Sequence, residues 1–368
     1  MKALLVGGTA STGPQIAAEL QARGYELAVY HRGVHEVPLP GDVEHIHGDP
    51  HFAEAIESDL AGRRFDLVVA TYGRIRHLAA VLRGRTPRFV SVGGFPVLKG
   101  WMAVADPQHV LRDGPVPIPG AEDQPYEAPG VDRFVDRMIE TERAVMAAHA
   151  EGHFVATHFR YPYVYGPWAV YPWEWQIAKR ALDGRRRHIV QDGGQLLYTR
   201  CASPNAAHAI GLAIDRPELS GGRIYHVGDD VQLTRREWVE AIGRVLGFEF
   251  EFVDIPRRFA PAGQSHVPDR GPQYHRLLST ARLQGELGYR DKVAPLDWIR
   301  ATVEHQLAHP PAVDGRANHM KPEDFDYAAE DALLAAWDEV LARAPEAFGR
   351  LHEFRHPYPH PKRKGDLL

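Results

Sequence analysis

Short, nearly continuous apolar runs alternate with amphipathic stretches through the first 160 residues. The run at 2–7, Lys-Ala-Leu-Leu-Val-Gly, has the pattern of a strand buried on both faces and closed by glycine. Thr12 and Pro14 then open a helix: the threonine hydroxyl is expected to cap free amides, and proline's fixed φ suits the first turn. Ile16, Ala17 and Leu20 recur on one face until Gly24 stops the helix. Further strands are expected at 25–30, 43–47, 66–70, 88–92 and 154–159, the last preceded by a long helix over 131–149. Strands alternating with helices imply a parallel sheet with right-handed crossovers, so the fold class expected is α/β, a doubly wound parallel sheet.

After Arg160 the texture changes. An aromatic stretch, a helix and a basic turn (Arg185, Arg186, Arg187) lead into mixed elements ending near residue 309. The expected division is a sheet domain over 1–166 to which 198–228 return, a smaller C-terminal substrate lobe from 167–197 and 229–309, and a C-terminal extension over 310–368. The extension holds a helix around 331–344 and a Pro-rich polar tail with little to pack.

The chemistry starts at the first turn. Gly7-Gly8-Thr9-Ala10-Ser11-Thr12-Gly13 joins the opening strand to its helix. Glycine is needed where backbone turns tightly beside a pyrophosphate and where the helix packs close to the strand. The free amides and the positive end of the helix dipole favour phosphate there. This placement marks a Rossmann dinucleotide site; a glycine turn in a nucleotide-free sheet is its alternative. An acidic residue ending the second strand would hold the adenine ribose, but the chain reads Tyr30-His31-Arg32-Gly33, with no carboxylate before Glu36. Arg32, with His31 beside it, suits a 2′-phosphate, so NADP is expected ahead of NAD. Asp49, after Gly48, is placed near the adenine, and Ala70 and Thr71 at the end of the fourth strand line the cofactor.

Composition narrows the class without redirecting it. Apolar residues make up 44% of the 368 and charged ones 25%, which supports a sizeable core. A net charge of −5 gives no reason to invoke nucleic acid or an anionic membrane. Cys201 stands alone, which excludes an intrachain disulfide and fits a reducing compartment. The opening apolar run is too short for a signal core or a membrane span, so a cytoplasmic protein is expected.

Together the glycine run, His31-Arg32-Gly33, Gly48-Asp49 and the segment from Arg160 to Pro167 (Arg-Tyr-Pro-Tyr-Val-Tyr-Gly-Pro) resemble the extended short-chain dehydrogenases/reductases, the NAD-dependent epimerase/dehydratase type. The Gly-Gly-Thr form is similar to the atypical branch. Tyr225 to Asp229, Leu233-Thr234 and Leu283 to Tyr289 extend the likeness across most of 1–308. It implies a small lobe closing over a cleft beside the nicotinamide, and a homodimer formed through two helices.

That family's chemistry rests on a serine, a tyrosine acid/base and a lysine, and here the carry-over fails. The likeness sets Gly93 at the serine, Phe134 at the tyrosine and Met138 at the lysine. Independently of register, no lysine occurs between Lys99 and Lys179 and no tyrosine between Tyr126 and Tyr161. Phenylalanine has no proton to give and methionine no charge to tune one. Tyr163, at the expected cleft mouth, is the first replacement acid; packing in an aromatic wall is its alternative. Tyr72, after the fourth strand, and Lys99, in the loop after the fifth, are the other catalytic candidates. Ser91 suits a structural role better. Gly93, Phe134, Met138, Tyr165 and Trp168 are the expected substrate contacts, and the aromatic stretch through Trp175 suggests a flat or apolar substrate rather than a sugar nucleotide.

Metal and serine-hydrolase readings are set aside. His305 and His309 are four apart, but Gln306 stands where a zinc hydrolase carries glutamate. His352, His356 and His360 are separated by prolines, and no Gly-x-Ser-x-Gly elbow is present. Three functions follow. The first is an NADP(H)-dependent oxidoreductase acting on a small aromatic or apolar carbonyl or enone. The second is a redox-silent cyclase, isomerase or lyase. The third is a non-enzymatic dinucleotide sensor using 310–368 toward a partner.

Overall fold

The computed structural model describes residues 1–101, 117–256, 259, 275–314, 320–348 and 363–364. Seven parallel strands form the main sheet. They are β1 (Lys2–Val6), β2 (Glu26–His31), β3 (Val43–His47), β4 (Leu67–Ala70), β5 (Arg88–Gly94), β6 (Val155–Tyr161) and β10 (Arg223–His226), in spatial order β10-β6-β5-β4-β1-β2-β3. The order reverses between β1 and β4, which opens a crevice at the carboxyl ends of those two strands.

The apolar runs are continuous because the sheet is covered on both sides. Ala3, Leu5, Val29 and Val69 join Ile16 and Leu20 of α1 (Gly13–Ala22) and Ile210 of α6 (Ser203–Asp215) on one face. Leu4, Val6, Tyr30 and Val68 face Ile56 of α2 (Ala53–Asp59), Leu78 of α3 (Ile75–Val81) and Val145 of α4 (Arg133–Ala150) on the other. Each expected strand is present within a residue or two, and the long helix begins at Asp132, whose carboxylate caps the amides of Phe134 and Val135 at 2.7 and 3.1 Å. Thr12 does not act as expected. It takes helical φ and ψ at the N-cap position and its hydroxyl caps nothing, so the amides ahead of α1 are left to other partners.

The lobe is built from two short parallel pairs, β7 (Tyr163–Tyr165) with β9 (Arg200–Ala202) and β8 (Arg187–Val190) with β11 (Glu251–Asp254). Over them pack α5 (Trp173–Leu182), α8 (Arg235–Leu246) and α10 (Pro295–Ala308), around Trp175, Trp238 and Ile299. α7 (Pro217–Ser220) and α9 (Ala281–Leu287) support the sheet's far edge.

α11 (Tyr327–Phe348) is longer than the expected 331–344 and docks on the lobe, with Leu334 and Trp337 against Ile189 and Val253. The basic turn turns out to be its anchor. Arg185 pairs with Asp331 and Arg187 with Asp338, while buried Arg180 meets Glu330 at 2.5 Å. The tail histidines His352, His356 and His360 lie outside the described residues. Among the described residues no helix is long and apolar enough to cross a membrane.

Candidate active site

Gly13 fixes the approach of α1 to the first turn. A Cβ built on it would fall 1.9 Å from the carbonyl oxygen of Gly8, so only glycine lets the helix start touch the loop backbone. Gly7 and Gly8 take φ of +96° and +76°, conformations that side chains strain. A Cβ on Gly7 would also strike Tyr72 and Thr71, at 2.7 and 2.8 Å. The loop therefore lies flush against the end of β4, with Ala70 buried in that strand and Thr71 donating its hydroxyl to the Val6 carbonyl at 3.0 Å. This is the close backbone turn that the diphosphate expectation requires.

At the adenosine end the expected residues separate. Arg32 lies over the Tyr72 ring at 5.6 Å, and His51 meets the same ring edge-on at 5.0 Å. Asp49 is held by His51, whose Nδ1 and backbone amide approach its Oδ1 at 2.7 and 3.0 Å. His51 and Arg32 both hold the Asp49 carboxyl below the usual carboxylate range. His31, in contrast, turns away from Arg32 and buries its ring against His45 and His47 on β3.

A cleft of about 1250 Å³ begins at Ala10, Ser11 and Thr12 and runs under the lobe. Gly93, Phe134 and Met138 all line it, as do Tyr72 and Tyr163. The register that places Phe134 and Met138 at the proton-relay positions thus has both side chains on the cleft wall. Tyr165 and Trp168 do not line it. Tyr165 is buried in the lobe core with its hydroxyl on Asp229 at 2.8 Å, and Trp168, at φ +63°, turns its indole onto His305. Lys99 also lies outside the cleft lining.

Two polar groups that sequence reasoning passed over stand on or behind this wall. His158 fills the space a side chain at Gly93 would claim: a Cβ there would come within 2.7 Å of His158 Nε2. Its Nδ1 meets Ser91 Oγ at 2.7 Å and its Nε2 meets Glu142 at 3.3 Å. Glu142 also takes two hydrogen bonds from Arg160, at 2.6 and 2.9 Å, and one from the Tyr126 hydroxyl at 2.5 Å. Arg160 and His158 outweigh burial and hold Glu142 well below its ordinary value. The second group is Glu174, buried behind Tyr163, whose hydroxyl lies 3.0 Å from Glu174 Oε2 and donates to the Tyr171 carbonyl at 2.7 Å. Burial pushes the Glu174 carboxyl up to about 7. At the lobe end, Arg200, Arg235 and Arg276 join the lining, cations drawn from three separate segments.

No family model matches the chain. A dTDP-glucose 4,6-dehydratase of Streptomyces niveus is 34% identical over 90 residues, 23% of this chain, so the match spans about a quarter (24%) of that relative. Among solved structures, the dTDP-glucose 4,6-dehydratase of Streptomyces venezuelae, with NAD and TYD bound, superposes with a TM-score of 0.63 at 19% identity, over 84% of this chain and 97% of that one. The UDP-glucose 4-epimerase of Bifidobacterium longum, in complex with NAD+ and UDP, gives 0.64 at 14% identity, over 84% and 99%. The chain has the Rossmann-type α/β fold of these dehydratase and epimerase structures.

Proposed function

We propose that this chain is an NADP(H)-dependent oxidoreductase whose substrate pairs an anionic group with an apolar or aromatic body bearing a carbonyl or enone. The carrying observation is the contact between Gly13 and Gly8, which builds a diphosphate cradle at the mouth of the cleft. Arg32, in the place of a ribose-binding carboxylate, supports NADP, although the solved neighbours named above hold NAD. The three lobe arginines support an anionic substrate group, and they amend the apolar-only expectation drawn from the aromatic stretch. The TYD and UDP held by two of the solved neighbours are anionic in the same way.

When bound, the nicotinamide supplies or accepts the hydride. The chain's own residues bind the two ligands and manage the proton. Tyr163 with Glu174 is the proposed acid: Tyr163 lines the cleft, and a carboxyl raised to about 7 stands behind it. His158, with a partner on each ring nitrogen, orients the floor beneath the reacting carbon. Tyr72 contacts cofactor rather than passing protons.

The test is single-turnover absorbance of NADPH across a panel of carboxylated or phosphorylated aromatic carbonyls and enones. Consumption of NADPH in preference to NADH is expected, with Tyr163→Phe lowering kcat and leaving cofactor affinity unchanged. No consumption across the panel overturns it. The redox-silent reading keeps one specific support, the cleft placement of Gly93, Phe134 and Met138. Substrate conversion with no change in NADPH absorbance would establish that reading instead.

A further inference from the structure

The outer edge of the sheet carries a cluster that the dinucleotide reading does not use. β3 is the edge strand, and His45 and His47, two residues apart, leave the same face of it. The β2–β3 register sets His31 directly opposite His47. Glu36 comes over them from the loop that follows Arg32. One ligand atom from each of these four residues lies within 4.8 Å of the other three. The imidazoles are packed edge-on, with His31 centroids 5.1 and 4.8 Å from those of His45 and His47. His31 Nε2 stands 2.9 Å from His45 Nδ1, and His47 Nε2 stands 3.3 Å from Glu36 Oε1.

We propose that His31, His45, His47 and Glu36 form a binding site for a divalent transition-metal ion, with zinc the best match. Three imidazole nitrogens and one carboxylate oxygen are a borderline-soft donor set. Zinc takes it at four-coordination, whereas calcium and magnesium ask for oxygen throughout. Ligand atoms around tetrahedral zinc sit about 3.4 Å apart, so from a widest separation of 4.8 Å the cluster needs a contraction of about 1.4 Å. Three of the four side chains are exposed and have room to make it. His31 supplies the fixed corner, with 2% of its surface exposed.

The protons can be accounted for within the cluster. Without metal, His31 Nδ1 accepts from the Gly33 amide at 3.2 Å, which leaves the ring proton on Nε2, pointing at His45. Ligation through Nε2 moves that proton to Nδ1, and the Gly33 amide must turn out of its contact. The Glu36 carboxylate argues against an anion here. Metal would tie the loop after Arg32 to the sheet edge. The histidine pairs weighed from sequence missed the site because its ligands come from two strands and a loop.

The test uses full-length, tag-free protein, freed of metal with chelator and titrated with ZnCl2 by calorimetry. Wild type and the His305→Ala/His309→Ala control should bind one equivalent. The His45→Ala/His47→Ala variant should lose affinity by more than the ~100-fold that removing an outer-shell partner can cost. Equal binding by that variant, or no uptake by wild type, overturns the site. As a check that needs no variant, wild type loaded with Co2+ should show the intense visible bands of a four-coordinate ion, and a pale octahedral spectrum counts against it. Neither readout involves dinucleotide, so failure here leaves the oxidoreductase reading standing, and the reverse also holds.

Discussion

Substituting Gly13 by alanine adds one methyl group where the backbone has no room for it. The new Cβ would lie 1.9 Å from the Gly8 oxygen, and the obstacle is main chain rather than a flexible side-chain tip. Relief requires the start of α1 to retreat by about 1 Å, in an interior packed densely enough to feel one methylene. Ile16, Ala17 and Leu20 ride on that helix and are fully buried against β1 and β2, so the retreat strains the core by about 1–3 kcal/mol. Cofactor binding should suffer more. Two loop amides withdrawn from a diphosphate, at about 1.5–3 kcal/mol each, amount to at least ~150-fold in affinity. Gly24→Ala is the control: at φ +77° with nothing within 4 Å of its Cβ, it costs about 1–2 kcal/mol of backbone strain at the opposite end of the same helix. Thermal denaturation would then show both variants destabilised, while calorimetry with NADPH separates them. A Gly13→Ala protein with wild-type Tm and wild-type cofactor affinity would refute the cradle.

Further expectations follow from the same geometry. Arg32→Ala should weaken NADPH by roughly 10–100-fold, the worth of one charge-assisted contact, and leave NADH nearly unchanged in fluorescence titration; equal losses for both would remove the case for a 2′-phosphate. Glu142→Gln breaks a buried pair and should cost about 3–5 kcal/mol at pH 7 in urea unfolding. Because the folded state holds Glu142 below its ordinary 4.5, its contribution is present above that pH and fades as pH falls, so the gap to wild type should narrow toward pH 3. Glu174 runs the other way. Raised to about 7, it favours folding below pH 4.5 and loses that contribution as pH rises through 7, so Glu174→Gln should gain on wild type above pH 7. Glu330→Gln removes the buried partner of Arg180 and should free α11, seen as faster hydrogen exchange over 327–343 with the main sheet unchanged.

The sheet half was legible because every signal there is local. Strands covered on both faces read as uninterrupted apolar runs, and glycine and proline punctuate each junction. The lobe's internal pairing and the site chemistry were not legible, because their determinants meet only in three dimensions. Arg200, Arg235 and Arg276 come from β9, from the first turn of α8 and from the segment before α9. Arg185 and Arg187 read only as a basic turn until α11 supplies carboxylates about 150 residues further on. Trp168 and Tyr165 were drawn toward the cleft by their place in an aromatic stretch. A positive φ at Trp168 and a buried carboxylate at Asp229 send both side chains elsewhere, and neither leaves a mark in the composition of that stretch.

The missing proton relay also takes on a different character in three dimensions. Read along the chain, Gly93, Phe134 and Met138 are three independent losses. In the fold they are parts of one rebuilt wall. The absent side chain at Gly93 gives His158 its place, His158 braces Glu142, and Glu142 takes Arg160 and Tyr126. Next to it, a Cβ on Gly94 would come within 2.9 Å of the Met138 methyl, so the methionine lies over a second glycine. A serine restored at 93 would press on the imidazole, and a lysine at 138 would bring its charge to a wall behind which Arg160 and Glu142 are already matched. Gly93 and Met138 are thus each fitted to a neighbour on this wall. Such mutual fitting is what the proposed proton chemistry would require of this wall.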